Sequence, residues 1–155
     1  MSMVKTALPK KALMLCVALL IGACTNYASY SLQAYSYATE AKAKTLKLVS
    51  KANGSYSANR AAAEALLLDM DVAYEFAAGI ENNEEAAEIW DKLRDPDGNL
   101  VGGFLSAWRT EFPGGVSANS VFIEEFKKNI TFSFDRLICL EANKGQATSC
   151  ADVAG

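Results

Sequence analysis

The sequence predicts an all-α fold, a small bundle of four to five helices that begins with a long antiparallel helical hairpin. Small and apolar residues recur every three or four positions over two long segments, which is the period of a helix that buries one face. Turn signals rich in Asn, Gly and Pro separate the segments. A compact helical body is therefore expected.

The predicted hairpin consists of the first two helices, over about 27–52 and about 57–80, with Asn53-Gly54-Ser55 as the turn. Two long helices joined by a short turn pack antiparallel. Each is expected to bury one stripe of residues. The stripes are Tyr27, Ser31, Ala34, Ala38, Ala41, Thr45, Leu48 and Ala52 on the first helix, and Ala63, Leu66, Met70, Ala73, Ala77 and Ile80 on the second.

Three shorter patterns predict the remaining helices. Asn82 is expected to cap a short helix that ends near Arg94, with Glu85 completing a capping box. A second short helix covers about 100–111, and the last runs over about 120–143 although Ile130-Thr131-Phe132-Ser133-Phe134 alternates like a strand. The helical domain thus spans 27–143, and 144–155 form a C-terminal tail.

The N-terminus has the pattern of an export signal. Three lysines precede an apolar run over residues 12–21, and no acidic residue lies among them. The run is shorter than the roughly 20 apolar residues of a membrane-spanning helix. Residues 1–23 are therefore predicted to be a signal peptide that is removed.

The end of this segment, Ile21-Gly22-Ala23-Cys24, resembles the lipobox of bacterial lipoproteins. The resemblance implies cleavage between Ala23 and Cys24, diacylglyceryl transfer to the Cys24 thiol and fatty acylation, of the palmitate type, at the new amino group. Residues 24–26 would be the lipidated N-terminus, anchored in a membrane of the cell envelope. Two alternatives stay open: an ordinary signal peptide that leaves Cys24 for a disulfide, and an uncleaved signal anchor.

The residue after Cys24 bears on the membrane. In Gram-negative lipoproteins an aspartate there tends to retain the protein at the inner membrane, and this chain has Thr25. The resemblance therefore implies the outer membrane, facing the periplasm, if the source is Gram-negative.

Composition limits the function of the mature chain. Loss of the three signal-peptide lysines leaves 12 basic residues against 18 acidic ones, a net charge of −6. That balance argues against nucleic acid as a partner. The absence of histidine excludes Ser-His-Asp and Cys-His catalysis and histidine-based zinc sites. No catalytic residue, cofactor or metal is assigned.

Four cysteines divide by position. Cys16 leaves with the signal peptide and Cys24 receives lipid, so Cys139 and Cys150 remain as a disulfide pair in an oxidising compartment. A redox-active pair is disfavoured because the CxxC spacing is absent.

Two acidic segments are weighed as sites. Asp95, Asp97 and Asn99 match the first ligands of a calcium loop, but Leu100 and Ser106 stand where the loop needs Gly and Glu, so a turn is preferred. Paired carboxylates can cleave glycosides. A solvated helix face is the preferred interpretation of the acidic run, which comprises Glu81, Glu84, Glu85, Glu88 and Asp91.

Basic and aromatic clusters are also weighed. The lysines of the first helix are expected to pair with acids of the second, with anionic glycans or headgroups as alternatives; the residues are Lys42, Lys44, Lys47 and Lys51, and Glu64, Asp69 and Glu75. A tyrosine cluster close to Cys24 is expected either at the headgroups or on the bundle. It consists of Tyr27, Tyr30, Tyr35 and Tyr37.

The stretch over 95–105, with Trp108, resembles small bacterial helical proteins without an assigned activity. The sequence thus predicts an envelope lipoprotein whose helical domain binds a protein partner and is not an enzyme. The alternative is a protein that binds a lipid or other apolar ligand between its helices. That alternative predicts a cavity lined by Met70, Phe76, Trp108 and Phe126.

Overall fold

The computed structural model describes residues 28–117, 120–146 and 150. Over these residues it has five α-helices and no strand. The predicted signal peptide, the lipobox with Cys24, Tyr27 and most of the C-terminal tail lie outside the described residues. The helices are α1 (Leu32–Val49), α2 (Tyr56–Ala78), α3 (Glu84–Arg94), α4 (Val101–Thr110) and α5 (Val121–Ala142).

The predicted hairpin is present. Tyr37 on α1 packs edge-on against Phe76 on α2, with ring centroids 5.5 Å apart. Further along α1, Lys44 Nζ lies 2.9 Å from Asp69 Oδ2. As the residue number on α1 rises from 37 to 44, the number of its contact on α2 falls from 76 to 69. The two helices are therefore antiparallel.

Contacts between the other long helices show the same alternation of chain direction. Lys42 on α1 forms an ion pair with Asp135 on α5. On α3, Arg94 lies 3.1 Å from Asp71 of α2, and Trp90 packs edge-on against Phe134 of α5. α1, α2, α3 and α5 therefore form an up-and-down bundle.

The bundle has two ends. We call the "anchor end" the one that contains residues 28–32, 78–84 and 139–146. The opposite "far end" contains residues 50–56, α4 and the start of α5. There the Trp108 indole N–H donates to the Gly54 carbonyl at 3.1 Å, and the Val116 and Tyr56 amides donate to the Ala52 and Pro113 carbonyls. These bonds fix α4 and its following loop to the α1–α2 turn.

The predicted core stripes are buried from Ala34 to Ala52 and from Ala63 to Ala77, whereas Ser31 and Ile80 are partly buried. The small residues of α1 and α2 face each other, which allows the helices to approach closely. Large aromatic side chains fill the space toward α3, α4 and α5. The largest fully buried side chains include Trp90, Trp108, Phe104, Phe134 and Met70. Residues 130–134 are helical throughout, because Ile130, Phe134 and Leu137 lie on one fully buried stripe of α5.

The ends of the two hairpin helices differ locally from the predicted bounds. α1 starts at Leu32 and not near Tyr27, because the Ser31 hydroxyl accepts from the Ala34 amide and caps the helix there. It also ends at Val49, with tighter turns following. α2 begins at Tyr56, capped by Ser55, and ends at Ala78.

Asn82 does not cap α3. It adopts a left-handed backbone with φ 59°, which asparagine tolerates better than most residues. Asn83 is the N-cap residue, but its buried amide donates to the Ala77 carbonyl at the end of α2 instead of bonding to α3. The predicted capping box with Glu85 is therefore absent.

Candidate functional site

The anchor end contains the described residues nearest in sequence to Cys24. Ala28 is 6% exposed, so the body holds the chain at that point. Cys24 lies four residues earlier, and four residues span at most about 14 Å. Beside Ala28, Tyr30 and Leu32 expose 53% and 67% of their surface. The first helix thus begins with apolar surface close to the predicted lipid attachment point.

The tyrosines of this region differ in environment. Tyr37 packs on the bundle through Phe76. Tyr35 is half-buried, and Tyr30 is exposed. Of these three, only Tyr30 presents its ring mainly to solvent at the anchor end.

Two further features lie at the same end. Cys139 and Cys150 form a disulfide, which holds Cys150 against the end of α5. Two residues after Cys139, the Glu141 side chain is fully buried and forms an ion pair with Lys144. A buried charge that follows a core stripe is unusual, and sequence reasoning missed it. The signal was its position, four residues after the buried Leu137.

The acidic run does not form a paired-carboxylate cleft. Glu85 binds Arg136 at 2.7 Å, Glu88 binds Lys92 at 2.6 Å and Asp91 binds Arg94 at 2.9 Å. All three carboxylates are exposed, and the bond from Lys92 lowers the pKa of Glu88. The run is a solvated face on which Glu85, Glu88 and Asp91 are matched by neighbouring cations, and Glu81 and Glu84 are also exposed.

The 95–99 segment is a turn. The Asp97 amide donates to Asp95 Oδ1 at 3.0 Å, the bond of an Asx turn. Within the described ranges, no three or more His, Cys, Asp or Glu side chains lie close enough together to hold a metal ion.

The predicted pairing of the α1 lysines with acids of α2 is present for Lys44 only, over the described residues. Lys44 binds Asp69 as expected, and that hydrogen bond raises the pKa of Lys44. Lys42 instead faces α5 and binds Asp135. On α2, Glu64 binds Arg60 of its own helix.

A groove runs between α1 and α2 beside Lys44. Its volume is about 330 Å³, and it combines cationic and apolar walls. We call it the "lysine groove". It is lined by Lys44, Lys47, Leu48, Lys51, Ala62, Ala65, Leu66 and Asp69.

A second pocket, of about 250 Å³, lies where α2 meets α3 and α4, and the sequence did not predict it. Arg94 stacks over Tyr74 at 3.8 Å there. Burial lowers the pKa of Arg94, but its bonds to Asp71 and Asp91 outweigh this and raise it. Those carboxylates neutralise the Arg94 guanidinium, whereas Arg109, which also lines the pocket, forms no ion pair over the described residues.

The residues expected to line an apolar ligand cavity contact other side chains. Met70 and Trp108 are fully buried, and Trp108 packs edge-on against Tyr56. Phe76 contacts Tyr37, and Phe126 contacts Phe104 and Phe122. None of these four lines the lysine groove, the pocket beside Arg94 or a third pocket between α1 and α5. The described part of the chain therefore adds no observation in favour of the ligand-binding alternative.

Comparisons with known proteins give no further assignment: no family model, no curated protein and no solved structure matches the chain. No described helix is long and apolar enough to cross a membrane. The fold and the surfaces define a small helical bundle with two exposed apolar side chains, Tyr30 and Leu32, at the anchor end and with three lysines in a groove between α1 and α2.

Proposed function

We propose that the protein is a lipoprotein of the bacterial cell envelope, anchored through Cys24, whose helical domain binds a protein partner close to the membrane. The observation that carries the proposal is the position of Ala28. It is buried in the body only four residues after the lipobox cysteine. Because the connection is so short, the part of the domain that contains Ala28 stays within about 14 Å of the anchored residue.

The exposed side chains of the anchor end support contact with the bilayer. An aromatic ring with a hydroxyl, such as that of Tyr30, is favoured at the membrane–water boundary. Leu32 adds apolar surface beside it. Because the domain is acidic overall, the lipid chains and not broad charge attraction would hold it, and two or more acyl chains suffice for stable anchoring.

Lipidation is tested by mass spectrometry of the membrane-bound protein. We expect a mature N-terminus at Cys24 carrying a diacylglyceryl group, and loss of that mass in Cys24→Ser. Cys16→Ser, within the predicted signal peptide, is the matched control and should be processed like the wild type. An unmodified, soluble wild-type protein would refute the anchor.

The orientation is tested by fluorescence quenching in vesicles of brominated phosphatidylcholine, with the full lipidated chain. A tryptophan in Leu32→Trp should be quenched strongly. One in Val121→Trp, exposed at the far end, should be quenched much less, and native Trp90 and Trp108 are both buried. Equal quenching of the two variants would contradict an anchor end that faces the bilayer.

A further inference from the structure

The lysine groove combines cationic and apolar groups on one described surface. Lys44, Lys47 and Lys51 follow one another at steps of three and four, so they share one side of α1 and the turn after it. Ala62, Ala65 and Leu66 of α2 form the opposite wall. The groove lies along the contact between two antiparallel helices and is open to solvent.

Two of its lysines have no ion-pair partner among the described residues. Lys44 is matched by Asp69 at 2.9 Å and by Glu40 at 3.8 Å. Over the described residues, Lys47 and Lys51 form no ion pair. Lys47 lies in the last turn of α1, where the helix dipole stabilises a positive charge. That role does not account for Lys51, and both charges stand out on a mature chain with a net charge of −6.

The apolar wall extends beyond the groove across the solvent face of α2. Ala61, Ala65, Leu68 and Val72 are exposed and are spaced by four, three and four residues, which places them on one stripe. Leu68 exposes 63% of its surface and Val72 47%. The alanines allow a backbone to approach closely, and the two larger residues offer anchoring contacts at one end of the stripe.

We propose that the lysine groove and the adjoining stripe of α2 bind an acidic amphipathic helix of a partner protein. The apolar face of that helix would pack on Ala65, Leu68 and Val72, and its carboxylates would face Lys47 and Lys51. A groove of this kind recognises a helix through apolar anchors at helical spacing. In the part of the groove that contains Lys47 and Lys51, charge complementarity favours acidic side chains of the partner over basic ones.

The position of the groove favours a protein over the anchoring bilayer. Lys51 lies 19 residues after Leu32, which at 1.5 Å per residue is about 28 Å along the direction of α1. The groove therefore reaches the far end, away from the predicted lipid. This inference rests on the proposed function for its orientation, but the chemistry of the groove does not depend on the anchor.

The test is site-specific photocross-linking of the full chain in the cells that produce it. Benzoylphenylalanine replaces Ala65 in the groove, and Glu125, exposed on α5, is the control position. We expect a product from position 65 whose partner peptide is acidic and helical. Lys47→Glu combined with Lys51→Glu should reduce its yield at least about fivefold, because opposite charges become like charges.

Lys127→Glu combined with Lys128→Glu is the matched control, since both lysines are exposed on α5 and the change in charge is the same. It should leave the product unchanged. Circular dichroism of each variant verifies folding, and Lys47→Gln with Lys51→Gln provides a milder version. Replacing the partner's acidic residues with lysine should restore the product with the Lys47→Glu, Lys51→Glu variant.

Four outcomes would overturn the proposal: a product with lipid only, a product with a second copy of this chain only, a partner segment without acidic residues, or no product above the Glu125 control. Mass spectrometry of wild-type Cys24 beside the cross-linking separates the two proposals. If mass spectrometry finds no lipid on wild-type Cys24 while the charge-dependent product persists, the anchor fails and the groove stands. A lipidated chain without the product supports the anchor and refutes the groove.

Discussion

A Cβ atom on Gly103 would lie 1.8 Å from the carbonyl oxygen of Gly98. At the preceding position, a Cβ on Gly102 would lie 2.2 Å from the carbonyl oxygen of Arg94. Both contacts are to backbone, which cannot rotate away as a side chain can. The glycine pair thus allows α4 to begin directly against the end of α3. This close contact explains both glycines.

Gly103→Ala should therefore destabilise the fold by about 3 kcal/mol or more, because α4 must move away from the turn after α3. Urea unfolding followed by circular dichroism measures the loss. Gly114→Ala is the matched control, since nothing lies within 4 Å of a Cβ built there. A Gly103→Ala protein as stable as Gly114→Ala would show that α4 is not packed this closely.

Trp108→Phe tests the connection between α4 and the α1–α2 turn. The substitution removes the 3.1 Å bond to the Gly54 carbonyl and part of a fully buried side chain. We expect a loss of about 2 kcal/mol in the free energy of unfolding. Tyr56→Phe keeps the ring that packs edge-on against Trp108, and it should cost less than about 1 kcal/mol. Equal losses would mean that the Trp108–Gly54 bond contributes nothing.

The sequence predicted the bundle and the hairpin because the spacing of small and apolar residues by three and four is repeated along each long helix. Each of the two long helices shows its buried stripe over five or more turns, so no single residue decides the result. Capping depends on single residues. Asn82 and Asn83 are equivalent in sequence, and the contact of Asn83 with the Ala77 carbonyl, across two helices, decides between them.

The lysine partners depended on a fact that the sequence does not contain: which helix lies on each side of α1. Lys42 and Lys44 are two residues apart and point about 200° apart around the helix. One therefore meets Asp135 of α5 and the other Asp69 of α2. The lysine groove follows from that rotation, so it could be recognised only once α2 and α5 had been placed.

The Cys139–Cys150 disulfide should contribute measurably to stability. The cysteines are 11 residues apart, and closing so short a loop in the unfolded chain is worth about 3 kcal/mol. Cys139→Ser combined with Cys150→Ser should lower the free energy of unfolding by that amount. Dithiothreitol should destabilise the wild type and leave the double variant unchanged. A wild type insensitive to the reductant would indicate that the bond is absent in the isolated protein.

The buried pair of Glu141 and Lys144 should show strong coupling. The Glu141 side chain has no exposed surface and Lys144 is its ion-pair partner, so removing the lysine leaves a carboxylate in an apolar surrounding. Lys144→Met is expected to cost about 3–5 kcal/mol in the free energy of unfolding. Replacing both residues by Met removes both charges, and the double variant should come within about 1 kcal/mol of the wild type.

Lys92→Met is the control for the loss of a lysine. Its partner Glu88 is exposed, so water replaces the lost contact and the unfolding midpoint should hardly change. Urea unfolding of the four variants, Lys144→Met, Glu141→Met, the double variant and Lys92→Met, measures the coupling directly. If the losses of the two single variants simply add in the double variant, the charges do not interact. Glu141 would then be compensated by some other group at the anchor end.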